Sequence, residues 1–247
     1  MTKPLSDHIA LVTGASRGIG YATALALAKR GAHVIATART TGGLEELDDA
    51  IRADGGGSAT LVPLDIKDTA GLARLGEAIG ERYGRLDIMV GNAGRLSTPT
   101  PLTHTEQKDW EEGFAVNVTA NLHLIRIMDP WLRKSDAGRV VFISSGLTAL
   151  AQPYWGTYTM TKCALDAIAR TYAAETETTP LRVNLFTPGR IGTRLLATAF
   201  PGLDLATVEP PEGPAEKIAD LCMPDVTETG KVYSYPKRAW LSFQPPA

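Results

Sequence analysis

Short apolar runs alternate with amphipathic or alanine-rich segments along most of the chain. The first run, Ile9–Val12, has four consecutive apolar residues and is typical of a strand buried on both faces. The next segment, from Ile19 to Arg30, is rich in alanine and leucine and predicts a helix that ends at Gly31. Further strands are predicted at 34–36, 60–62, 86–90, 139–144, 181–186 and 231–235, and further helices at 41–54, 69–83, 106–133, 158–177, 191–200 and 215–221.

Strict alternation of strands and helices predicts an α/β fold, in which a doubly wound parallel sheet of about seven strands carries helices on both faces. This is the arrangement of a Rossmann fold. No repeat, linker or low-complexity segment interrupts the 247 residues, so a single domain over residues 1–247 is expected. The less regular stretch at about 190–214 follows the sixth strand and is expected to form the substrate loop.

Composition and charge narrow the functional classes. Hydrophobic residues make up 44% and charged residues 21%, as in globular proteins. The net charge of -2 gives no electrostatic basis for binding nucleic acid or an anionic membrane. Two cysteines are too few for a disulfide framework, and the four histidines show no metal-binding spacing. Since no apolar signal region or membrane-spanning run is present, a cytoplasmic protein is expected.

A glycine-rich loop, Thr13–Gly20, lies between the first predicted strand and the first predicted helix. Glycines allow the backbone to turn tightly and approach a ligand, and a helix N-terminus attracts phosphate. The spacing is Gly-x-x-x-Gly-x-Gly rather than the Gly-x-Gly-x-x-Gly of the general dinucleotide motif. Its position between strand and helix nevertheless favours a nucleotide over a simple tight turn.

The end of the second strand indicates which nucleotide is bound. NAD-binding folds usually place an acid there to hold the ribose 2′-hydroxyl. Here the strand ends in Thr37, Ala38 and Arg39, and the next carboxylate is Glu45. Arg39, helped by Arg17, could pair with a 2′-phosphate, although both side chains could also be merely solvated. The missing acid predicts NADP(H) rather than NAD.

Tyr158 and Lys162 are four residues apart, so on a helix they share one face. A free tyrosine has a pKa of about 10, and a neighbouring cation lowers it. The pair is therefore a candidate general acid/base, and Ser145 could polarise a substrate carbonyl. The alternative is an amphipathic helix with an ordinary exposed lysine.

Taken together, these features resemble the short-chain dehydrogenase/reductase superfamily in its compact single-domain form. The resemblance covers nearly the whole chain, and the matching motifs occur in the family's order: Thr13–Gly20, Asp65, Asn92-Ala93-Gly94, Asn117, Ser145, Tyr158, Lys162, and Pro188-Gly189 with Thr193. One departure is Gly91, where the family usually has a second asparagine before Asn92. We expect this departure to alter a turn without affecting the chemistry.

The resemblance implies a catalytic role for each of four residues. Tyr158 would donate a proton to a carbonyl oxygen while the nicotinamide delivers hydride to the carbon, or the reverse in oxidation. Lys162 would hold the nicotinamide ribose and lower the pKa of Tyr158, and Ser145 would hydrogen-bond the substrate oxygen. Asn117 would help to hold a water in a proton relay, unless it only kinks the helix or bonds to local backbone.

The cofactor site follows from the same resemblance. Asp65 would bind the adenine, or could simply cap the following helix. The segment from Asn92 to Gly94 would pass beneath the cofactor, and Ile191 and Thr193 would contact the carboxamide. The expected cofactor-binding residues are Gly14, Ser16, Arg17, Gly18, Ile19, Gly20, Arg39, Asp65, Ile66, Asn92, Ala93, Gly94, Tyr158, Lys162, Pro188, Gly189, Ile191 and Thr193.

The expected substrate is a small, largely hydrophobic carbonyl compound or alcohol. The segments after the fifth and sixth strands supply an apolar set that could instead form a packed lid or a subunit contact: Leu147, Leu150, Tyr154, Trp155, Leu195, Leu196, Phe200 and Leu203. Arg190 and Arg194 could face substrate, cofactor phosphates or solvent. A dehydratase or epimerase that retains its nicotinamide, and a non-catalytic nucleotide-binding scaffold, are the alternative functions.

A homodimer or homotetramer is also expected. The family assembles through the helices that hold Asn117 and Tyr158. In this chain the second of these helices is apolar on more than one side: Ala164, Leu165, Ala167, Ile168, Ala169, Tyr172 and Ala173. A helix packed only into the core of its own subunit is the alternative.

Overall fold

The computed structural model describes residues 3–243 and contains an eight-stranded sheet in the order β3-β2-β1-β4-β5-β6-β7-β8. The strands are β1 Ile9–Thr13, β2 His33–Ala38, β3 Ser58–Pro63, β4 Ile88–Gly91, β5 Arg139–Ile143, β6 Arg182–Thr187, β7 Val232–Ser234 and β8 Ala239–Leu241. The α-helices are α1 Gly18–Lys29, α2 Gly42–Asp54, α3 Thr69–Tyr83, α4 Gln107–Phe114, α5 Ala120–Leu132, α6 Gly156–Glu175, α7 Arg194–Ala199 and α8 Glu212–Leu221.

The central strand β1 is buried at every position, as its unbroken apolar run predicts. It pairs in parallel with β2 and β4, so that Leu11 lies opposite Ile35 on one side and Met89 on the other. Two apolar clusters cover the two faces of the sheet. One includes Leu27 of α1 and Leu47 of α2, and the other includes α3, α5 and α6. The predicted doubly wound architecture is confirmed.

The prediction of about seven parallel strands missed β8, which pairs with β7 in the antiparallel direction. This strand has only three residues, all half-buried. A turn containing Arg238 at a positive φ of 52° precedes it. So short a strand carries no periodic signal in the sequence, which explains why the pattern did not reveal it.

Two helical predictions also needed correction. The segment predicted as a helix over 191–200 forms α7 over only six residues, because Thr193 caps it and accepts a hydrogen bond from the Leu196 amide at 3.3 Å. Before α7, Ile191 pairs with Glu209 in an isolated bridge. The long helix predicted over 106–133 is interrupted by a π-helical turn at Ala115–Thr119, between α4 and α5.

Gly91, the departure from the family motif, ends β4 in a space that has no room for a side chain. A Cβ on Gly91 would stand 2.3 Å from Cδ1 of Phe142 and 3.0 Å from Oδ1 of Asn121. Phe142 and Asn121 are both buried. The space that an asparagine side chain would need at position 91 is therefore occupied by Phe142 of β5 and Asn121 of α5.

We predict that Gly91→Ala destabilises the fold by roughly 1–3 kcal/mol, because the added methyl overpacks the contact with Phe142. Urea unfolding measures the free energy. Gly42→Ala is the matched control, since a Cβ there meets nothing within 4 Å. Equal stability of the two variants would show that position 91 tolerates a side chain.

Candidate active site

The carboxyl ends of β1, β4, β5 and β6 meet at one edge of the sheet, where ligands bind in open α/β sheets. The loops after these strands carry the glycine loop, Asn92–Gly94, Ser145 and Pro188–Thr193. The first turns of α6 bring Tyr158 and Lys162 to the same edge. The structure thus brings together residues that lie far apart in the chain.

Glycines in the first loop allow it to lie directly against the loop after β4. Gly14 has φ +67°, and a Cβ on it would stand 2.9 Å from Nδ2 of Asn92. A Cβ on Gly20 would stand 2.3 Å from the Gly14 carbonyl oxygen. Close packing excludes side chains at both positions, and the positive φ of Gly14 disfavours one there as well.

Hydrogen bonds join the two loops. The Thr13 hydroxyl oxygen accepts from the backbone amides of Asn92 and Ala93, each at 3.0 Å. Nδ2 of Asn92 donates to the Thr13 carbonyl at 2.9 Å. The Asn92 side chain therefore fixes the loops to each other, whereas Gly94 is exposed beside the cleft. A Cβ on Gly94 would lie 3.6 Å from Nζ of Lys162.

The start of α1 has the features of a pyrophosphate site. Its N-cap residue Arg17 makes no side-chain capping hydrogen bond, and its first turn contains no acid. The first amides of the helix therefore have no side-chain acceptor and can bind an anion. Gly18, at φ +57°, packs beside the Thr193 side chain, where a Cβ would approach to 3.3 Å. The residues present fit a dinucleotide.

The residues expected to select the cofactor lie beside this loop. Arg39 is exposed immediately after β2, and Arg17 is also exposed. Neither forms an ion pair within residues 3–243. Asp65 accepts from the Lys67 amide at 3.0 Å. The alternative in which Asp65 caps the following helix is wrong, because Asp68 is the N-cap of α3 and accepts from the Gly71 amide.

Ser145, Tyr158 and Lys162 converge beyond the end of β5. Lys162 is 4% exposed, and its Nζ donates to the Ile143 carbonyl at 2.7 Å. The same nitrogen lies 5.9 Å from the centroid of the Tyr158 ring. The Ser145 hydroxyl lies near enough to the Tyr158 hydroxyl to influence its pKa. The predicted arrangement of a serine, a tyrosine and a lysine in one site is therefore present.

The protonation behaviour differs from the prediction. Burial raises the pKa of Tyr158 to about 12, and the Ser145 hydroxyl opposes that rise. Burial also lowers the pKa of Lys162 to about 8, opposed by the charge of Asp166. The structure does not give Tyr158 the lowered pKa that its spacing from Lys162 predicted, because desolvation dominates and the ammonium is bonded to the Ile143 carbonyl.

Asn117 is completely buried in the π-helical turn. Its Oδ1 accepts from the Arg95 amide at 2.8 Å, and its Nδ2 donates to the Arg95 carbonyl at 2.8 Å and to Oγ1 of Thr161 at 2.9 Å. The Asn117 carbonyl accepts from Nδ2 of Asn121 at 2.9 Å. A water-holding role, which stays a prediction, would therefore have to use this carbonyl rather than the side chain.

Aromatic side chains form one wall of the cleft. The Trp155 ring packs against Tyr158 at 6.1 Å and against Phe200 at 5.8 Å between centroids. The Arg190 guanidinium lies 5.2 Å from the Phe200 ring centroid, while Arg194 begins α7. Tyr154, 61% exposed, has an unusual positive φ of 72°. Part of the predicted apolar set therefore packs together around Trp155 and part is exposed.

Sequence reasoning missed the contribution of the loop after β4 to this wall. Ser97, Thr98 and Thr100 line a small cavity of about 10 Å³ with Trp155 and Tyr158. Leu102, in the same loop, is 64% exposed. The position of this loop in the chain could have revealed its role, because it follows β4, whose carboxyl end lies at the site.

Comparison with known proteins identifies the family. A model of the short chain dehydrogenase family matches residues 8–203. The chain belongs to the short-chain dehydrogenase family. Members of this family are NAD(P)-dependent oxidoreductases.

Several relatives match most of this short-chain dehydrogenase. The oxidoreductase YciK of Escherichia coli K12 is 34% identical over 209 residues, 84% of this chain and 82% of that protein. The rhamnolipids biosynthesis 3-oxoacyl-[acyl-carrier-protein] reductase of Pseudomonas aeruginosa is 36% identical, over 77% of this chain and 75% of that protein. A short chain dehydrogenase from Shigella flexneri 2a, solved with NADP, is 31% identical with a TM-score of 0.90, covering 95% of this chain and 99% of its own.

Within residues 3–243, no helix is both long and apolar enough to cross a bilayer.

Proposed function

We propose that this protein interconverts a carbonyl and an alcohol on a small, largely hydrophobic substrate, using NADP(H). The observation that carries the proposal is the meeting of Ser145, Tyr158 and Lys162 beside the glycine loop. Tyr158 is a proton donor and Ser145 a hydrogen-bonding hydroxyl, and both lie next to a loop that fits a dinucleotide.

In the reducing direction Tyr158 is the general acid. Because its pKa is raised to about 12, the phenol stays protonated near neutral pH and can give its proton to a carbonyl oxygen. The Ser145 hydroxyl would hydrogen-bond the same oxygen, and the Lys162 ammonium would hold the nicotinamide ribose. The bound cofactor supplies hydride to the carbonyl carbon.

The 2′-phosphate of NADP would be held by Arg39. Ala38 ends β2 without the acid that would repel phosphate, and Arg39 is exposed at the same edge. The S. flexneri neighbour, of 31% identity, is complexed with NADP. Arg17 would contribute less, since it lies at the pyrophosphate end of the loop.

The substrate would lie against Trp155 and the exposed apolar side chains near it. Leu150 is 58% and Leu195 39% exposed on the segments after β5 and β6. With Tyr154 and Leu102 they would form the apolar surface that meets the substrate. This surface would favour an apolar body carrying one polar carbonyl group.

We predict that Tyr158→Phe lowers kcat by roughly 10²- to 10⁴-fold, because it removes only the donated proton. Cofactor affinity, measured by fluorescence titration with NADPH, should change little. Tyr83→Phe removes an equivalent hydroxyl at the end of α3, where it is bonded to His33 away from the site, and should keep near-normal turnover across a panel of ketones and aldehydes. Wild-type turnover by Tyr158→Phe would rule out Tyr158 as the acid.

We predict that NADPH binds more tightly than NADH and that Arg39→Ala weakens NADPH by roughly 10- to 100-fold while leaving NADH nearly unchanged. Ala38→Asp should reverse the preference, because a carboxylate repels the 2′-phosphate and holds a ribose hydroxyl. Isothermal titration calorimetry with both cofactors measures the Kd values, and Arg17→Ala serves as the control arginine. Equal loss for both cofactors in Arg39→Ala would contradict the assignment.

A homo-oligomer formed through α5 and α6 is part of the proposal. Leu165, Ala169, Tyr172 and Ala173 are buried in the core of the subunit, whereas Ala167 is exposed. Leu122 of α5 is 43% exposed and Met160 of α6 is 36% exposed. Small and apolar side chains on the outer face would allow close approach of a second copy.

We predict that Ala167→Glu reduces the mass measured by multi-angle light scattering at micromolar concentration from that of a dimer or tetramer towards that of a monomer, because it places a charge in the proposed contact. Ala53→Glu makes the same change on the exposed face of α2 and should leave the mass unaltered. A monomeric wild type would contradict the proposed assembly.

A further inference from the structure

Asp166 is a buried carboxylate that the proposed mechanism does not use. It is 5% exposed and lies on α6, one turn after Lys162 and two turns after Tyr158. The three residues therefore follow one another along a single face of the helix. A charged side chain this deeply buried is rare unless it is paired, so its partners indicate its role.

The closest partner of Asp166 comes from β5. Ser144, which follows the last residue of that strand and is 2% exposed, donates its hydroxyl to Oδ1 of Asp166. Ser144 directly precedes Ser145. The Thr148 hydroxyl, also near Asp166, donates to the Ser145 carbonyl at 3.0 Å. The carboxylate therefore anchors the end of β5, on which Ser145 is carried, to the helix that carries Tyr158.

Asp166 is also the acid whose charge stabilises the ammonium form of Lys162. The other groups facing Lys162 are uncharged: the Ile143 carbonyl of β5, the backbone of Gly94 and Tyr158 on its own helix. The two charges form no direct ion pair within residues 3–243, so they interact at longer range. Burial makes an ammonium unfavourable at this position, and a nearby carboxylate offsets that cost.

Several neighbouring groups offset part of the cost of ionising this buried carboxylate. Burial raises the pKa of Asp166, and the Ser144 and Thr148 hydroxyls together with Lys162 and Arg170 oppose that rise. Cys163, on the same helix, is the remaining titratable neighbour. The Ser144 hydroxyl donor, a second hydroxyl nearby and a cation one turn away in each direction along α6 therefore surround this one acid.

We propose that Asp166 is a positioning residue for the reaction. It holds Ser145 in place through Ser144, and it keeps Lys162 in the ammonium form beside Tyr158. The inference rests on the proposed roles of Ser145 and Lys162. The contact with Ser144 is a matter of geometry, and the effect on Lys162 is a matter of charge. Two substitutions can therefore separate the two roles.

Asp166→Asn tests the charge. The amide oxygen can still accept from Ser144, but the negative charge is lost. Competitive acetylation across a pH series, followed by peptide mass spectrometry, reports the titration of Lys162 in the cofactor-free protein. We expect its midpoint to fall by about one pH unit, and the alkaline limb of kcat at saturating NADPH to move in the same direction with little change in KM.

Glu175→Gln removes the same charge from an exposed position further along α6 and is the matched control. An Asp166→Asn midpoint no lower than that of this control would overturn the charge role. The labelling needs no turnover, so this outcome is distinct from failure of the proposed oxidoreductase activity.

Ser144→Ala tests the anchor. It keeps the carboxylate but removes the bond to the end of β5, so kcat should fall by roughly tenfold while the Lys162 midpoint falls less than in Asp166→Asn. An unchanged kcat would overturn the positioning role. Should Asp166→Asn fail to fold, carboxyl NMR of the wild-type protein decides the charge role, because an Asp166 that is protonated at neutral pH cannot support Lys162.

Discussion

The side chain of Asn117 holds together three segments that are distant in sequence. Its amide bonds to the backbone of Arg95 in the loop after β4 and to the Thr161 hydroxyl on α6. Leaving any of these buried groups without a partner would cost about 1–3 kcal/mol. Thr161 directly precedes Lys162, so the position of the helix that carries Tyr158 and Lys162 depends on this contact. The π-helical turn places the amide where it can reach both partners.

Several features of the fold were predictable because burial leaves a regular pattern. The all-apolar β1 run and the glycine that ends α2 at Gly55, with φ +68°, mark their elements directly. The helix over Thr69–Tyr83 was predicted with its observed bounds. Elements defined by three-dimensional partners escaped prediction. Strand β8 exists only through its pairing with β7. The π-helical turn is accompanied by the hydrogen bonds of the Asn117 side chain to Arg95 and Thr161.

The site shows the same division. Ser145, Tyr158 and Lys162 could be placed together from order and spacing because a helix and a parallel sheet have fixed geometry. Their proton affinities could not, since these depend on how completely the folded chain excludes water. The burial that raises the pKa of Tyr158 also gives Asp166 its influence, and no local pattern in the sequence marks a buried acid. The glycine at position 91 could not be explained from the sequence either, because the side chain that leaves no room there is Phe142 on the neighbouring strand.

The central position of β1 has a consequence for how the chain is made. β1 is complete at Thr13, yet its second neighbour β4 begins only at Ile88. At ribosomal rates of about 5–20 residues per second, the intervening stretch takes roughly 4–15 s to synthesise. Throughout that interval one edge of the most apolar strand has backbone donors and acceptors without their native partners, and such an edge can pair with other chains. The nascent protein is therefore most vulnerable to aggregation before β4 emerges.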